Sequence, residues 1–226
     1  MLAESRSAGG LPGGDFYTFA LRAPTRLAVV IGDACGRGRD GAELVPLVLP
    51  VVDALLPTEA SPAQLLCEVN RTLYGSVAKD RFITAAAFEL DASTGSLVAA
   101  CAGHVPTIIR NAEGRVRAVG TASGPPLGIE KECEYSDERH ALTMGDVLVF
   151  MTDGLLEALE TDLIAMERLQ QMVASAPAGN GAVHRFLLAE LDRCTLRSRS
   201  DDVLLLSLEV VGETGSRRAA ADDGAT

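Results

Sequence analysis

The sequence predicts an α+β layered domain, and three observations carry that prediction. Short apolar segments rich in β-branched residues are separated by turn-forming residues, so they read as hairpin-joined strands. The helical patterns fall in two blocks instead of alternating with strands, and neither GxGxxG nor GxxxxGK[ST] occurs. A parallel nucleotide-binding sheet needs a helix between successive strands and a glycine-rich phosphate cradle, so that class is excluded.

The first hairpin joins residues 15–21 to 26–33 through Ala23-Pro24-Thr25, its second limb carrying Leu27-Ala28-Val29-Val30-Ile31. A glycine-rich loop, Gly36-Arg37-Gly38-Arg39-Asp40-Gly41, leads into the apolar run 42–56. That run is long enough for a buried helix, yet it holds Pro46 and Pro50. An interior proline lacks the backbone donor and costs about 3 kcal/mol, so a kinked or broken helix is expected. Ser61-Pro62 supplies an N-cap and a first-turn proline, and Leu65, Leu66, Val69 and Leu73 then share one helical face.

Strands are expected at 82–90 and 96–102 around the turn 91–95, and at 106–110 and 115–119 around the turn 111–114. Further strands follow at 135–142 and 146–151, then helices at 155–174 and 181–194, and a last strand at 203–211. One domain therefore spans residues 1–211, followed by a small, polar tail, 212–226, expected to be disordered.

Composition narrows the function. The chain has 226 residues, 47% hydrophobic and 23% charged, which suits a single domain with a substantial core. Lys plus Arg number 20 against 31 Asp plus Glu, a net charge of −11 that repels nucleic acid and anionic lipid alike. The nearly uncharged stretch Leu44–Pro57 is too short to span a bilayer of about 30 Å. The N-terminus has no apolar signal core, so a cytoplasmic protein without a membrane anchor is expected. Five cysteines without CxxC spacing read as reduced thiols and not as a zinc site, and Cys35, beside Asp33, reads as a packed thiol.

Four aspartates fall at strand ends. Asp15 and Asp33 are equidistant from Pro24, so a simple hairpin would set them opposite one another. Asp153 follows the strand ending at Met151, and Asp201 precedes the one starting at Val203; if those strands are antiparallel neighbours, these two also meet at one sheet edge. Carboxylates held that close repel unless protonated or neutralised by cations. Oxygen ligands without His or Cys favour Mg²⁺ or Mn²⁺ over Zn²⁺.

Six ordered motifs add a resemblance: Gly13-Gly14-Asp15-Phe16-Tyr17, Ile31-Gly32-Asp33-Ala34-Cys35-Gly36-Arg37-Gly38, Ala102-Gly103-His104-Val105-Pro106, Gly124-Pro125-Pro126-Leu127-Gly128-Ile129, Thr152-Asp153-Gly154-Leu155-Leu156-Glu157-Ala158 and Asp201-Asp202-Val203. Across residues 11–211 the chain resembles the metal-dependent protein phosphatases of type 2C, and within them the SpoIIE-like bacterial branch. The resemblance implies a four-layer α-β-β-α sandwich of two antiparallel sheets flanked by helices. It also implies two Mn²⁺ or Mg²⁺ ions held by Asp15, Asp33, the Ala34 backbone carbonyl, Asp153 and Asp201, with Asp33 bridging both ions and Asp202 the less suited of its pair. The implied reaction is hydrolysis of phosphoserine or phosphothreonine by metal-activated water, so Asp15, Asp33, Asp153 and Asp201 act catalytically through that water. A phosphorylated anti-sigma-factor antagonist in a stress or sporulation circuit is the implied partner, and a homodimer is compatible with the branch.

The chain departs from the branch at two positions. Thr18 stands where a second acid is common and reads as a strand cap or as a cause of weaker metal binding. Arg37 stands where histidine is common, and it reads as a solvated loop arginine or, through its forked donors, as a contact for a substrate phosphate. His104, in a tight Gly-His-Val-Pro turn, reads as a structural hydrogen-bonder, as do His140 and His184; Gly32, Gly36, Gly38 and Gly154 read as points of close backbone approach. Two other readings remain open. A catalytically silent phosphatase-like regulatory module would fail to hydrolyse p-nitrophenyl phosphate with Mn²⁺; a two-metal nuclease would cleave DNA but lacks a basic track.

Overall fold

In the computed structural model, the described residues are 1–7, 13–36, 39–78, 80–121, 124–159, 165–179, 181–194 and 201–212. Along the chain they form β1 (Leu2–Arg6), β2 (Asp15–Ala23), β3 (Arg26–Ala34), α1 (Arg39–Ala42), α2 (Val45–Leu55), α3 (Pro62–Leu73), β4 (Ile83–Asp91) and β5 (Ser96–Ala102). Then come β6 (Thr107–Arg110), β7 (Val116–Val119), β8 (Glu138–Ala141), β9 (Val147–Met151), α4 (Asp153–Leu159), α5 (Ala165–Ser175), α6 (Ala182–Cys194) and β10 (Val203–Glu209). One sheet runs β1-β10-β9-β6-β7, the other β2-β3-β4-β5-β8, and their strand pairs are antiparallel.

Alternation along β3 builds the layers. Val29 and Ile31 face the other sheet, packing with Phe88, Leu148, Phe150, Leu204 and Leu206, while Ala28 and Val30 face α2 and α3. Phe88 and Phe150 meet edge to face across the sheets at 4.8 Å between ring centroids. On the far side, Val149, Met151 and Leu205 pack against Leu155, Leu169 and Leu187 of α4, α5 and α6. The result is the expected four-layer sandwich.

The apolar run 42–56 is broken as its prolines require: α1 ends at Ala42 and α2 begins at Val45. Pro46 falls in the first turn of α2, where its missing donor has no intrahelical acceptor to lose, whereas Pro50 stays inside the helix. Ser61 closes a full capping box, accepting from the Gln64 backbone N–H at 3.3 Å and donating its own N–H to Gln64 Oε1 at 2.9 Å.

Three expectations need correction. The helix expected over 155–174 is two helices, α4 and α5, and residues 160–164 between them lie outside the described part. The strand expected over 135–142 shortens to Glu138–Ala141, because Tyr135 turns into the α2/α3 core and donates its hydroxyl to the Pro125 carbonyl at 3.0 Å. Strand β1 was not foreseen; its half-exposed Leu-Ala-Glu-Ser-Arg run has no strong apolar alternation, and it is held by pairing with β10, Leu2 opposite Ser207 and Arg6 opposite Val203. Gly212 is described, while residues 213–226 of the expected tail lie outside.

Candidate metal centre

The hairpin register sets Asp15 directly opposite Asp33. Side-chain parity then decides which way they point. Asp33 shares a face with Val29 and Ile31, and Asp15 with Tyr17, all packed in or against the inter-sheet core, so both carboxylates sit at one end of that layer. From the opposite sheet, β9 ends at Met151 and runs through Thr152 into Asp153, the first residue of α4. Strand β10 is antiparallel to β9, with Leu205 opposite Met151, so Asp201 and Asp202 enter at this same end. Five aspartates from distant parts of the chain therefore share one rim of the sandwich.

Thr152, fully buried, ties the two sheets at that rim. Its hydroxyl donates to Asp15 Oδ2 at 2.7 Å and accepts from the Leu204 backbone N–H at 3.0 Å, and its own N–H donates to the Leu204 carbonyl at 3.1 Å. Asp202 accepts from the Gly14 N–H at 3.2 Å and donates its N–H to Asp201 Oδ1 at 2.8 Å. Asp202 thus fixes the backbone that presents Asp15. Gly154 is required here, since a side chain would place its Cβ 1.7 Å from the Asp202 carbonyl oxygen.

Electrostatics report the crowding. Burial, followed by the negative charge of Asp15, Asp153 and Asp201, pushes Asp33 up to about 8. Burial likewise pushes Asp15 up to about 7, the Thr152 hydroxyl opposing and Asp202, Asp153 and Asp201 reinforcing. Asp153 is raised too, by burial and then by Asp201 and Glu157, against the Gly154 N–H. Among the described residues no three His, Cys, Asp or Glu side chains form a closed cage. The aspartates are coupled all the same, Asp33 to Asp15 by a side-chain hydrogen bond as well as by charge.

The donor set suits a hard divalent cation. The position that a Cβ on Gly14 would occupy lies 2.5 Å from the Ala34 carbonyl oxygen and 3.0 Å from Asp33 Oδ1, so glycine leaves a niche flanked by two oxygens. Carboxylates, one carbonyl and no thiolate or imidazole favour Mg²⁺ or Mn²⁺.

Other expected residues separate from the rim. Thr18 lies on the opposite face of β2 from Asp15, with Phe16, and donates to Asp53 Oδ1 of α2 at 2.6 Å, so it joins sheet to helix. Arg37 and Gly38 lie outside the described residues. Cys35 is packed as expected, its sulfur accepting from the Phe82 N–H at 3.0 Å. His140 contacts Glu138 at 3.3 Å and His184 contacts Ser207 at 3.0 Å. His104 is buried between the sheets, and burial pushes its imidazole down to about 4, leaving it neutral. The roles of Thr152 and Asp202 were missed, although both stand inside motifs already singled out.

Comparison with known proteins agrees with this architecture. The family described as Stage II sporulation protein E (SpoIIE) matches residues 23–211. Phosphoserine phosphatase RsbU of Bacillus subtilis (strain 168) is 26% identical over 161 residues, 71% of this chain and 48% of that protein. Phosphoserine phosphatase RsbP of the same organism is 24% identical over 148 residues, 64% of this chain and 36% of its own length. The chain thus spans about half or less of these curated relatives. In fold it resembles the PP2C phosphatase domain of SpoIIE from Bacillus subtilis, with a TM-score of 0.80, 19% identity and coverage of 92% of this chain and 62% of that one. It also resembles RsbX solved in complex with magnesium, with a TM-score of 0.68, 16% identity and coverage of 91% and 92%. With the match covering most of its length and the sandwich shared with these domains, the chain belongs to the SpoIIE family.

Proposed function

We propose that this chain is a divalent-metal-dependent phosphatase domain that hydrolyses phosphoserine or phosphothreonine in a protein substrate. The observation that carries this is the convergence of Asp15, Asp33, Asp153 and Asp201 on one rim, two of them pushed far above the usual carboxylate range. Such a cluster is costly without a cation and suited to one with it. Asp15, Asp33, the Ala34 carbonyl, Asp153 and Asp201 are the groups that would hold two Mn²⁺ or Mg²⁺ ions. When bound, these ions supply positive charge for the phosphoryl oxygens and a more acidic water.

The chain's own residues organise the rest. Thr152 holds one oxygen of Asp15 in place beside Asp33. Asp202 anchors the Gly14 backbone beneath it. His104 is no candidate for proton transfer, since both ring nitrogens are engaged by Thr84 and Met151. Arg37, four residues after Asp33 in the sequence, is the proposed contact for the substrate phosphate. The relatives' names support phosphoserine as the group removed, and the family resemblance extends the reading to a small phosphorylated anti-sigma-factor antagonist as substrate.

The test is turnover of a phosphorylated antagonist protein with and without Mn²⁺, alongside Asp153→Asn. Activity that needs Mn²⁺ and falls at least about a hundredfold in the variant is expected, since charge-stabilising groups carry several kcal/mol. Binding of the phosphoprotein without turnover supports the silent regulatory module instead.

A further inference from the structure

We propose that His104 is a positioning residue for the metal centre, a pin between the two sheets that sets the spacing at which Asp33 and Asp153 meet a cation. The inference rests on the metal-dependent reading above and goes beyond its ligand set. His104 follows β5, in a turn closed by its own N–H donating to Cys101 Sγ at 3.3 Å and by that thiol donating to the His104 carbonyl at 3.2 Å. From this fixed backbone the buried ring reaches both sheets. Nε2 lies 3.0 Å from the Met151 carbonyl, which can only accept, so Nε2 carries the proton. Nδ1 therefore accepts from the Thr84 hydroxyl at 2.8 Å.

Both partners adjoin ligands. Thr84 is directly opposite Asp33 in the β3–β4 register, and its hydroxyl oxygen also lies 3.4 Å from the Asp33 carbonyl. Met151 is the last residue of β9, two before Asp153 and next to Thr152. The ring thus links the strand pair that carries Asp33 to the strand that delivers Asp153, with one acceptor and one donor on a rigid plane. Phe150, on the same strand, shows what apolar contact provides across the sheets, which is adhesion without direction. Directional bonds at the rim fix the separation where oxygen geometry matters to a cation.

The experiment measures Mn²⁺ binding by isothermal titration calorimetry for the wild-type chain, His104→Ala, His104→Gln and Thr84→Val, with Mn²⁺ half-activation and phosphopeptide KM in parallel. His104→Ala should raise the Mn²⁺ dissociation constant about tenfold, the scale of losing a partner that orients a ligand. Half-activation should move by the same factor, while KM at saturating Mn²⁺ stays within about twofold, because the ring does not touch substrate. Glutamine offers an acceptor and a donor on one plane and should recover most of the affinity. If His104→Ala does not fold, Thr84→Val removes only the hydroxyl and should still weaken binding by about threefold. Unchanged Mn²⁺ affinity in both His104→Ala and Thr84→Val, or in Thr84→Val where the alanine variant does not fold, overturns the proposal; so does a glutamine variant no better than alanine. In those cases wild-type Mn²⁺ binding still stands behind the phosphatase reading, whereas a wild-type chain that binds no Mn²⁺ removes both.

Discussion

Replacing Asp33 with asparagine should abolish turnover and at the same time stabilise the metal-free fold. In the folded chain Asp33 is pushed from 3.8 up to about 8, first by burial and then by Asp15, Asp153 and Asp201. A raised folded value means the protonated acid is the favoured native form. Stability from this group is therefore complete below about pH 4 and is lost as pH rises toward 8. At pH 7 the unfolded carboxyl is ionised while the folded one resists it, a penalty of about 4 kcal/mol at 1.4 kcal/mol per unit. The side chain is partly exposed and shares its shift with Asp15, so half of that, about 2 kcal/mol, is the working figure. For a chain of this size each kcal/mol moves Tm by about 2–4 °C, which predicts a rise of about 4–8 °C for Asp33→Asn in EDTA at pH 7. The assay is thermal unfolding by circular dichroism from pH 4 to 8, where the gap between variant and wild type should close at the acid end. Saturating Mn²⁺ should raise the wild-type Tm and narrow or invert the gap, because binding stabilises only a fold that binds. A variant less stable than wild type at pH 7 in EDTA would show that Asp33 is not strained by its neighbours, and the electrostatic case for a cation there would fail.

Three further outcomes follow from the same contacts. Thr152→Val removes the donor to Asp15 and the acceptor for the buried Leu204 N–H, and should cost about 1–3 kcal/mol in urea unfolding together with a weaker Mn²⁺ response. Ser61→Ala breaks the capping box of α3, far from the rim, and should lose about 1 kcal/mol with kcat unchanged. His104, pushed by burial from 6.5 to about 4, binds its proton more readily when unfolded. Its contribution to stability is full above pH 6.5 and fades as pH falls toward 4, so His104→Gln should flatten the acid limb of the stability profile.

What could be read in advance divides along a physical line. The Asp15–Asp33 pairing was legible from their equal distance from Pro24. The turn itself pairs Ala23 with Arg26, and an irregularity between Leu21 and Ala23 shifts the register by one residue to set Asp15 opposite Asp33, after which the two-residue strand period fixes facing. The same period, applied to Thr18, sends it to the helix side with Phe16, so its substitution for an acid bears on α2 and not on a cation. The meeting of Asp153 with Asp201 could be stated only conditionally, since strand adjacency between β9 and β10 is a long-range fact. Strand β1 exists because β10 offers it an open edge, and its own polar sequence gives little sign of that. Thr152 and His104 were unreadable as bridges for the same reason: each bonds to residues of the opposite sheet, and no local pattern encodes the distance between two sheets.

The rim gathers what the fold would otherwise exclude. An inter-sheet layer is the driest part of the molecule, built here from Val29, Ile31, Phe88, Leu148 and Phe150, and ionised groups are costly at its edge. Burial is the first cause of the raised values of Asp15, Asp33 and Asp153, ahead of any neighbour. The same dryness strengthens every attraction between those carboxylates and a cation, so the feature that destabilises the empty site is the feature that would tighten the loaded one. Holding such a site open requires a scaffold whose two halves cannot drift, and that is where Thr152, the residue after β9, and His104, two residues after β5, stand, each bonded across to the other sheet. Metal affinity and inter-sheet spacing should accordingly change together, and a substitution that altered one without the other would separate the centre from the sandwich that carries it.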